Sequence, residues 1–329
     1  MRVLGRRRML TAIGGFLACS GLRGPARAEA AFPDRPLRIV VPVPPGGVGD
    51  QVARHVAQGM GADLGVPVVV ENRPGASLML GTQYVARSAP DGHTLLLSTL
   101  SNIVLNPLLQ ARPIVDPERE LTMLSVLMET PFVLVVNPRV PAHDVREFVE
   151  AARRGGRMTY SSSGVGTANH LPGELLSLMS GAEFTHVPYG GGAPALTAVL
   201  AGDVSAVFDT VPTALPYLAD GRLRALGVST ARRLAALPAV PTIAEAGLPG
   251  FESSTWIGIA APAATPPAVA DRLRRGLDAV LTERGLRARF EPGGNIIRDP
   301  ATAGETARFL AGEREKWGRV IRERRITLD

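Results

Sequence analysis

The sequence predicts an α/β fold with two lobes, in which the C-terminal part of the chain returns to the first lobe. Three observations predict it. The 329 residues are 45% hydrophobic, which is enough apolar material for one large core or two ordinary ones. Short apolar segments alternate with segments of helical periodicity, a pattern typical of parallel sheets covered by helices on both faces. A Pro- and Gly-rich stretch at residues 237–250 then separates the second series of elements from one further strand.

The first series of elements lies between residues 37 and 98. Its strands are short, mostly β-branched runs that stop at Pro, Gly or Asn, at residues 37–43, 67–70 and 94–98. A helix is predicted after Asp50, because apolar residues recur at helical spacing from Val52 until Gly65. A second helix is predicted at about residues 81–88.

The second series repeats this alternation. Strands are predicted at residues 132–137, 158–161, 184–188, 204–208 and 223–229, and helices at about 143–153, 170–180, 193–201 and 212–220. After the crossover at 237–250, we expect a strand at 256–260 and helices at 266–283 and about 301–325. We therefore assign residues 31–130 and 252–329 to the first lobe and residues 131–251 to the second.

Residues 1–30 have the pattern of an export signal. Three arginines at 6–8 precede an apolar run that is too short to span a membrane, and small-x-small cleavage patterns end at Ala28 and Ala30. We expect this segment to be removed and the mature protein to be periplasmic; general secretory and twin-arginine export both fit. The chain has 36 Lys and Arg against 30 Asp and Glu, but six of the arginines lie in residues 1–28, which contain no acid. The remaining chain is neutral, so its charge does not indicate a nucleic-acid partner.

The composition also limits the chemistry of the mature chain. Its only cysteine, Cys19, lies in the expected export signal, which leaves no disulfide, thiol nucleophile or cysteine-held metal. Its only lysine, Lys316, does not follow a glycine-rich loop, so there is no P-loop. The G-x-S-x-G and H-E-x-x-H motifs are absent, and Asn169 stands where a dinucleotide fingerprint has Gly or Ala. We therefore expect no catalytic residues, no metal and no cofactor.

Four loops that follow predicted strands are rich in small residues. Glycine lets a backbone approach a ligand closely, and the N–H groups at a helix start favour an anion. Hydroxyl groups at 162, 163 and 167 add donors that can bind a carboxylate without a basic side chain. Because open α/β sheets bind ligands at the carboxyl ends of their strands, these loops supply the candidate ligand-binding residues: Pro45, Gly46, Gly47, Asp50, Ser162, Ser163, Gly166, Thr167, His170, Tyr189, Gly190, Gly191 and Asp209.

Several of these features have simpler interpretations. A glycine-rich loop is often only a tight turn, and Asp50 is well placed to cap the helix that follows it. His170 and Glu174 are four residues apart on a helix, which suits a capping or surface pair better than a metal site. Asp209 is either a helix cap or a partner for an amine or hydroxyl of the ligand. The charged run at residues 313–325 is most simply a solvated helix face.

The sequence resembles the tripartite tricarboxylate transporter receptors, also called the Bug family of periplasmic solute-binding proteins. The resemblance covers essentially the whole expected mature chain. Its motifs stand in order at residues 32–36, 41–50, 70–75, 89–95, 106–107, 161–174, 186–189 and 238–250, and at Trp256. The chain departs from the usual pattern at Val43, where an aromatic residue is common, at Gly190, commonly lysine, and at Asn102, in a segment that is usually small and polar.

The resemblance implies a two-lobed, type II-like periplasmic binding fold, with a mostly parallel sheet in each lobe and the ligand in the cleft between them. It implies a small carboxylate ligand, namely a di- or tricarboxylate, an acidic amino acid or an aromatic carboxylate. The loops at 45–50 and 162–170 would hold the carboxylate as two jaws, and residues 189–191 and Asp209 would face the rest of the ligand. The implied partners are the membrane subunits of a tripartite tricarboxylate-type transporter, and we expect a monomer. An exported hydrolase or lyase using His170, Glu174 or Asp209, or a ligand sensor for a membrane signalling protein, is the alternative.

Overall fold

One long strand, β4 (Leu121–Val136), belongs to both sheets of the protein. The computed structural model describes residues 32–328, and Pro33–Asp329 form one compact unit. The expected export signal at 1–30, its cleavage sites and Cys19 lie outside the described residues. No helix within residues 32–328 is both long enough and apolar enough to cross a membrane.

The first sheet contains the strands β1 (Leu37–Val41), β2 (Val68–Asn72) and β3 (Thr94–Thr99), which are parallel in the order β2-β1-β3. Strand β9 (Ser254–Pro262) pairs antiparallel with both β3 and the first part of β4, and the short β10 (Ile296–Ile297) pairs with β4. The associated helices are α1 (Val48–Leu64), α2 (Met79–Ala86), α3 (Asn106–Leu109), α4 (Pro117–Glu120), α9 (Pro267–Thr282), α10 (Arg284–Phe290) and α11 (Ala303–Glu323).

The second sheet has the order β6-β5-β7-β4, and β8 pairs with β4 as well. Its strands are β5 (Thr159–Ser162), β6 (Thr185–Pro188), β7 (Ala206–Thr210) and β8 (Arg224–Val228). β5, β6 and β7 are parallel, whereas β4 is antiparallel to β7 and β8. The helices are α5 (Val145–Arg153), α6 (Leu171–Ser180), α7 (Gly192–Ala201) and α8 (Val211–Ala219).

Pro131 lies where β4 passes from one sheet to the other. It stands opposite Ser254 at the last paired position with β9, and Phe132 opens the pairing with β7. Proline has no N–H to donate to a ladder, so it is tolerated at such a transition. The sequence predicted only the part of β4 after this proline. It also missed β10, α3, α4, α10 and a π-helix at Ser101–Leu105.

The predicted α/β class is confirmed, but the sheets are less parallel than expected. Strands β1, β2, β3, β5 and β6 each have at least one parallel neighbour. Every ladder made by β4 or β9 is antiparallel. Local alternation of strand and helix does not specify this, because β4 and β9 pair with strands that are far from them in sequence: β9 with β3 and β4, and β4 with β7, β8, β9 and β10. The assignment of residues to lobes stays a prediction.

The core extends across both sheets and includes the last helix. Trp256 of β9 and Trp317 of α11 are fully buried, and both donate their indole N–H to Glu313, at 3.3 and 3.2 Å. Glu313 is itself buried and pairs with Lys316. The charged run at 313–325 is therefore not simply a solvated face. It fixes α11 against the sheet that carries β9.

Candidate functional site

A cleft of about 680 Å³ lies open to solvent. Its lining is mostly small, polar or aliphatic, and Asp209 is the only charged residue in it within residues 32–328. One wall is formed by Ser77, Leu78, Ser101 and Asn106, and another by Ser163 and residues 165–169. The remainder comes from Phe132, Gly192, Ala193, Leu196, Thr197, Asp209, Thr210, Thr213, Tyr217, Thr255 and Leu328. Of the candidate residues from the sequence, Ser163, Gly166, Thr167 and Asp209 line this cleft.

Asn169 organises the loop between β5 and α6. Its Oδ1 accepts three hydrogen bonds, from the Ser163 N–H (3.2 Å), the Ser163 hydroxyl (2.8 Å) and the Thr167 hydroxyl (2.9 Å). The Thr167 hydroxyl also lies 2.7 Å from the Gly164 carbonyl oxygen. The hydroxyl hydrogens of Ser163 and Thr167 thus stay inside the loop. In this arrangement both hydroxyls hold the loop in shape, and their donation to a ligand stays a prediction.

The same network leaves donors facing the cleft. All three hydrogen bonds go to the oxygen of the Asn169 amide. Its Nδ2 group, which can only donate, has no hydrogen-bond partner among residues 32–328. The backbone N–H groups of Ala168 and Asn169 likewise have no protein acceptor in the described part of the chain. Asn169 and Ala168 both line the cleft. These are fixed donors suited to a carboxylate.

The opposite wall has an unusual backbone. Ala76, Ser77 and Leu78 have φ values of 46°, 50° and 76°, so three consecutive residues other than glycine occupy the left-handed region. Such conformations cost free energy and are concentrated at functional sites. The Asn106 side chain supports this turn by donating from Nδ2 to the Ser77 carbonyl oxygen at 2.5 Å. The hydroxyls of Ser77 and Ser101 have no partner within the described structure and complete the donors of this wall.

The loop at Pro45, Gly46 and Gly47 is exposed and does not line the cleft. Asp50 is buried below it and accepts hydrogen bonds from the Gly46 N–H (3.0 Å), from Arg54, and from Asn72 Nδ2 (2.9 Å). Hydrogen bonds from Arg54 lower the pKa of Asp50 to about 2. Asp50 lies in the first turn of α1, whose N-cap is Gly47 without a side-chain cap, so the carboxylate holds the preceding loop and does not cap the helix as the simpler interpretation predicted.

Tyr189, Gly190 and Gly191 stand beside the cleft without lining it. The Tyr189 N–H donates to the Ser162 carbonyl oxygen at 3.0 Å, which ties this loop to the Asn169 loop. Gly191 is extended and caps α7, whose first residues Gly192 and Ala193 do line the cleft. The glycine run thus brings the start of α7 to the site.

Ser162 and His170 belong to a buried network behind the loop. His170 Nδ1 accepts the Gly166 N–H at 3.0 Å, so the ring hydrogen lies on Nε2, 3.4 Å from Glu174 Oε1. The Ser162 hydroxyl lies 2.6 Å from His186 Nε2, and the rings of His170 and His186 stack with centroids 3.9 Å apart. Ser162 is fully buried and does not line the cleft, so its place among the ligand-binding residues stays a prediction.

The two stacked imidazoles make stability depend on pH. Burial and the neighbouring His170 lower the pKa of His186 to about 4, from 6.5. Below pH 6.5 the unfolded chain therefore binds a proton that the folded chain does not, and stability falls as the pH decreases towards 4. We expect the melting temperature of His186→Gln to fall less than that of the wild type between pH 7 and pH 4.5. His143→Gln, at an exposed position, is the control; equal pH dependence of all three proteins would contradict this assignment.

Sequence reasoning missed Asn169, Ser77, Ser101 and Asn106 as site residues. The signal for Asn169 was present, since it directly precedes His170 at the start of α6 in a loop that was already singled out. Ser77 and Ser101 follow the strands predicted at residues 67–70 and 94–98, but neither belongs to the four loops singled out as rich in small residues. Within residues 32–328, no three His, Asp or Glu side chains are grouped closely enough to hold a metal ion.

Residues 52–326 match the family described as tripartite tricarboxylate transporter family receptor. The chain is 36% identical over 324 residues to the protein BugT of Bordetella pertussis, which covers 96% of this chain and 97% of BugT. It is similar to a solved R. palustris protein with adipate (TM-score 0.77, 32% identity, 90% and 99% of the two chains). It is also similar to MatC from Rhodopseudomonas palustris with bound malate (TM-score 0.74, 31% identity, 88% and 100%).

Proposed function

Because the chain belongs to the tripartite tricarboxylate transporter receptor (Bug) family of periplasmic solute-binding proteins, we propose that it captures a small carboxylate in the cleft beside Asn169. Proteins of this family are solute-binding receptors rather than enzymes, and so is this chain. The observation that carries the carboxylate assignment is the set of donors around Asn169 that have no partner in the described part of the chain, in a cleft whose described lining has no basic side chain.

The Asn169 loop holds the carboxylate in this proposal. Asn169 Nδ2 and the N–H groups of Ala168 and Asn169 donate to its oxygens, while Ser163 and Thr167 keep the amide in place from the other side. A donor that is already fixed loses little entropy when the ligand arrives. A hydrogen bond to a charged group contributes about 1.5–3 kcal/mol, so two or three of them contribute about 3–9 kcal/mol towards the costs of association.

The other jaw closes from the first sheet. Ser77 and Ser101 already face the cleft, and the exposed loop at Pro45, Gly46 and Gly47 moves towards the ligand when the lobes close. The hydrogen bond between Gly46 N–H and Asp50 keeps that loop in one shape during the movement. Closure of two lobes over a ligand is the usual motion of such binding proteins.

The receptor acts outside the cytoplasm in this proposal. The pattern of residues 1–30 supports export, and removal of that segment leaves a periplasmic protein. The closed, liganded form then delivers its carboxylate to the membrane subunits of a tripartite tricarboxylate-type transporter. The family assignment supports this partnership.

A thermal-shift screen of the mature protein against a panel of carboxylates tests the proposed function. A ligand at 100 times its Kd stabilises the folded state by about 2.7 kcal/mol, which raises the melting temperature by several degrees. We expect at least one small carboxylate to do so, and NMR spectra of that compound to stay unchanged during incubation. A panel in which no carboxylate raises the melting temperature would contradict the proposal, as would consumption of the compound.

A further inference from the structure

We propose that Asp209 selects a carboxylate whose far end carries a hydrogen-bond donor, an ammonium or a hydroxyl group, and disfavours a second carboxylate. This inference rests on the proposed function and names the ligand class of the same cleft. The two R. palustris neighbours were solved with dicarboxylates, adipate and malate, and of these malate also carries a hydroxyl group.

The carboxylate of Asp209 is short of donors. It lies at the end of β7, opposite Val133 of β4, and its Oδ1 accepts the Thr210 N–H at 2.8 Å. Its Oδ2 is buried and has no hydrogen-bond partner within the described structure. A buried carboxylate oxygen without a donor is unfavourable. The cleft is the space beside this side chain from which a donor can come.

The charges of the cleft favour the same class of ligand. Among the described residues its lining contains no Arg, Lys or His, so no basic side chain of residues 32–328 in this lining neutralises Asp209. Burial raises the pKa of Asp209 to about 6, which still leaves the carboxylate ionised at pH 7. A dicarboxylate would bring a second negative charge into this cleft without a counter-charge. An ammonium group would neutralise Asp209, and a hydroxyl group would give it a donor.

The two ends of such a ligand contact different loops. The donors of Asn169 and Ala168 come from the loop after β5, whereas Asp209 comes from the end of β7, and both loops line one cleft. β5 and β7 are adjacent parallel strands, so their carboxyl ends lie at the same edge of the sheet. One edge therefore offers hydrogen-bond donors and an acceptor to the same molecule.

Matched ligands of equal length test the inference. Calorimetry would compare adipate with 6-hydroxyhexanoate and 6-aminohexanoate, and succinate with 4-hydroxybutyrate and 4-aminobutyrate. We expect an amino or hydroxy acid to bind about 10- to 150-fold more tightly than the dicarboxylate of its length, the range of one hydrogen bond to a charged group. Tighter binding of the amino acid identifies an ammonium group, and tighter binding of the hydroxy acid identifies a hydroxyl group.

The variant Asp209→Asn should remove this preference, mainly because the dicarboxylates bind more tightly once the negative charge is gone. The control is Asp220→Asn, at an exposed position directly after helix α8, which follows β7. This variant should keep the preference. The wild-type comparison needs no variant, so misfolding of Asp209→Asn would not remove the test. Dicarboxylates that match or exceed their partners in wild-type binding, or a preference that survives in Asp209→Asn, would overturn the inference alone. If no carboxylate of any panel binds, the proposed function fails and this inference with it.

Discussion

Replacing Glu174 by alanine is expected to lower the free energy of unfolding by about 3–5 kcal/mol, as breaking a buried ion pair generally does. Glu174 is buried in α6 and accepts hydrogen bonds from the Tyr160 hydroxyl (2.5 Å) and from Arg324 Nε (2.6 Å). Burial raises the pKa of this carboxyl group, but the hydrogen bonds from His170, Tyr160 and Arg324 outweigh burial and lower the pKa to about 2. Alanine would leave the Tyr160 hydroxyl buried without its acceptor and would remove the ion pair between α6 and Arg324, which directly follows α11.

Glu183→Ala is the matched control for this prediction. Glu183 pairs with the same Arg324, at 2.8 Å, but its side chain is 75% exposed. Exposed ion pairs typically contribute less than about 1 kcal/mol, so this variant should unfold nearly as the wild type does. Denaturant unfolding followed by circular dichroism compares the two. An equal loss of stability in both variants would show that Glu174 has no more structural role than a surface carboxylate.

The lowered pKa of Glu174 also sets the pH range in which this side chain stabilises the fold. Since the folded pKa is about 2 and the ordinary value 4.5, the contribution is complete above pH 4.5 and decreases as the pH falls towards 2. The contribution of Glu174 is therefore lost at lower pH than that of His186, which is lost between pH 6.5 and about pH 4. The two groups together make the protein progressively less stable in acid.

Much of the fold could be predicted because its local signals agree with its tertiary structure. Helix α1, for example, starts near Asp50 and ends at Gly65, whose φ of 74° suits glycine. The first part of β4 could not be predicted this way. It is buried almost throughout and lacks an alternating pattern, and Pro131 interrupts it. Its antiparallel pairing with β9 joins segments more than 100 residues apart, which no local pattern specifies.

The site could be predicted only to the level of loops. The loop after β5 was singled out as small and polar, and three of its predicted residues, Ser163, Gly166 and Thr167, line the cleft. Which groups face the ligand depends on the internal hydrogen bonds of the loop, and the sequence does not reveal those. Arg324 and Glu313 likewise sit in a run that looks solvated, but both are tied to buried partners.

The largest effect on binding is expected from Asn169→Asp. The aspartate keeps the oxygen that accepts hydrogen bonds from Ser163 and Thr167, so the loop should keep its shape. The substitution replaces the Nδ2 donor by a second, negative oxygen that faces the ligand. Loss of at least one hydrogen bond to a charged group, together with repulsion between two carboxylates, should weaken carboxylate binding by about 100-fold or more. Calorimetry with a ligand identified in the screen measures this loss, and the melting temperature of the free protein should change by no more than about 2 °C.

Two further variants separate the jaws of the site. Thr167→Val removes a hydroxyl that donates only within the loop, so it should weaken binding less than Asn169→Asp does. At Gly47, a new Cβ would meet no atom within 4 Å, so Gly47→Val fits the structure without strain and should not alter stability. Weaker binding in that variant would therefore mean that the exposed loop contacts the ligand on closure. If Asn169→Asp binds like the wild type while Gly47→Val abolishes binding, the carboxylate is held by the first loop, and Asn169 serves only to order the second.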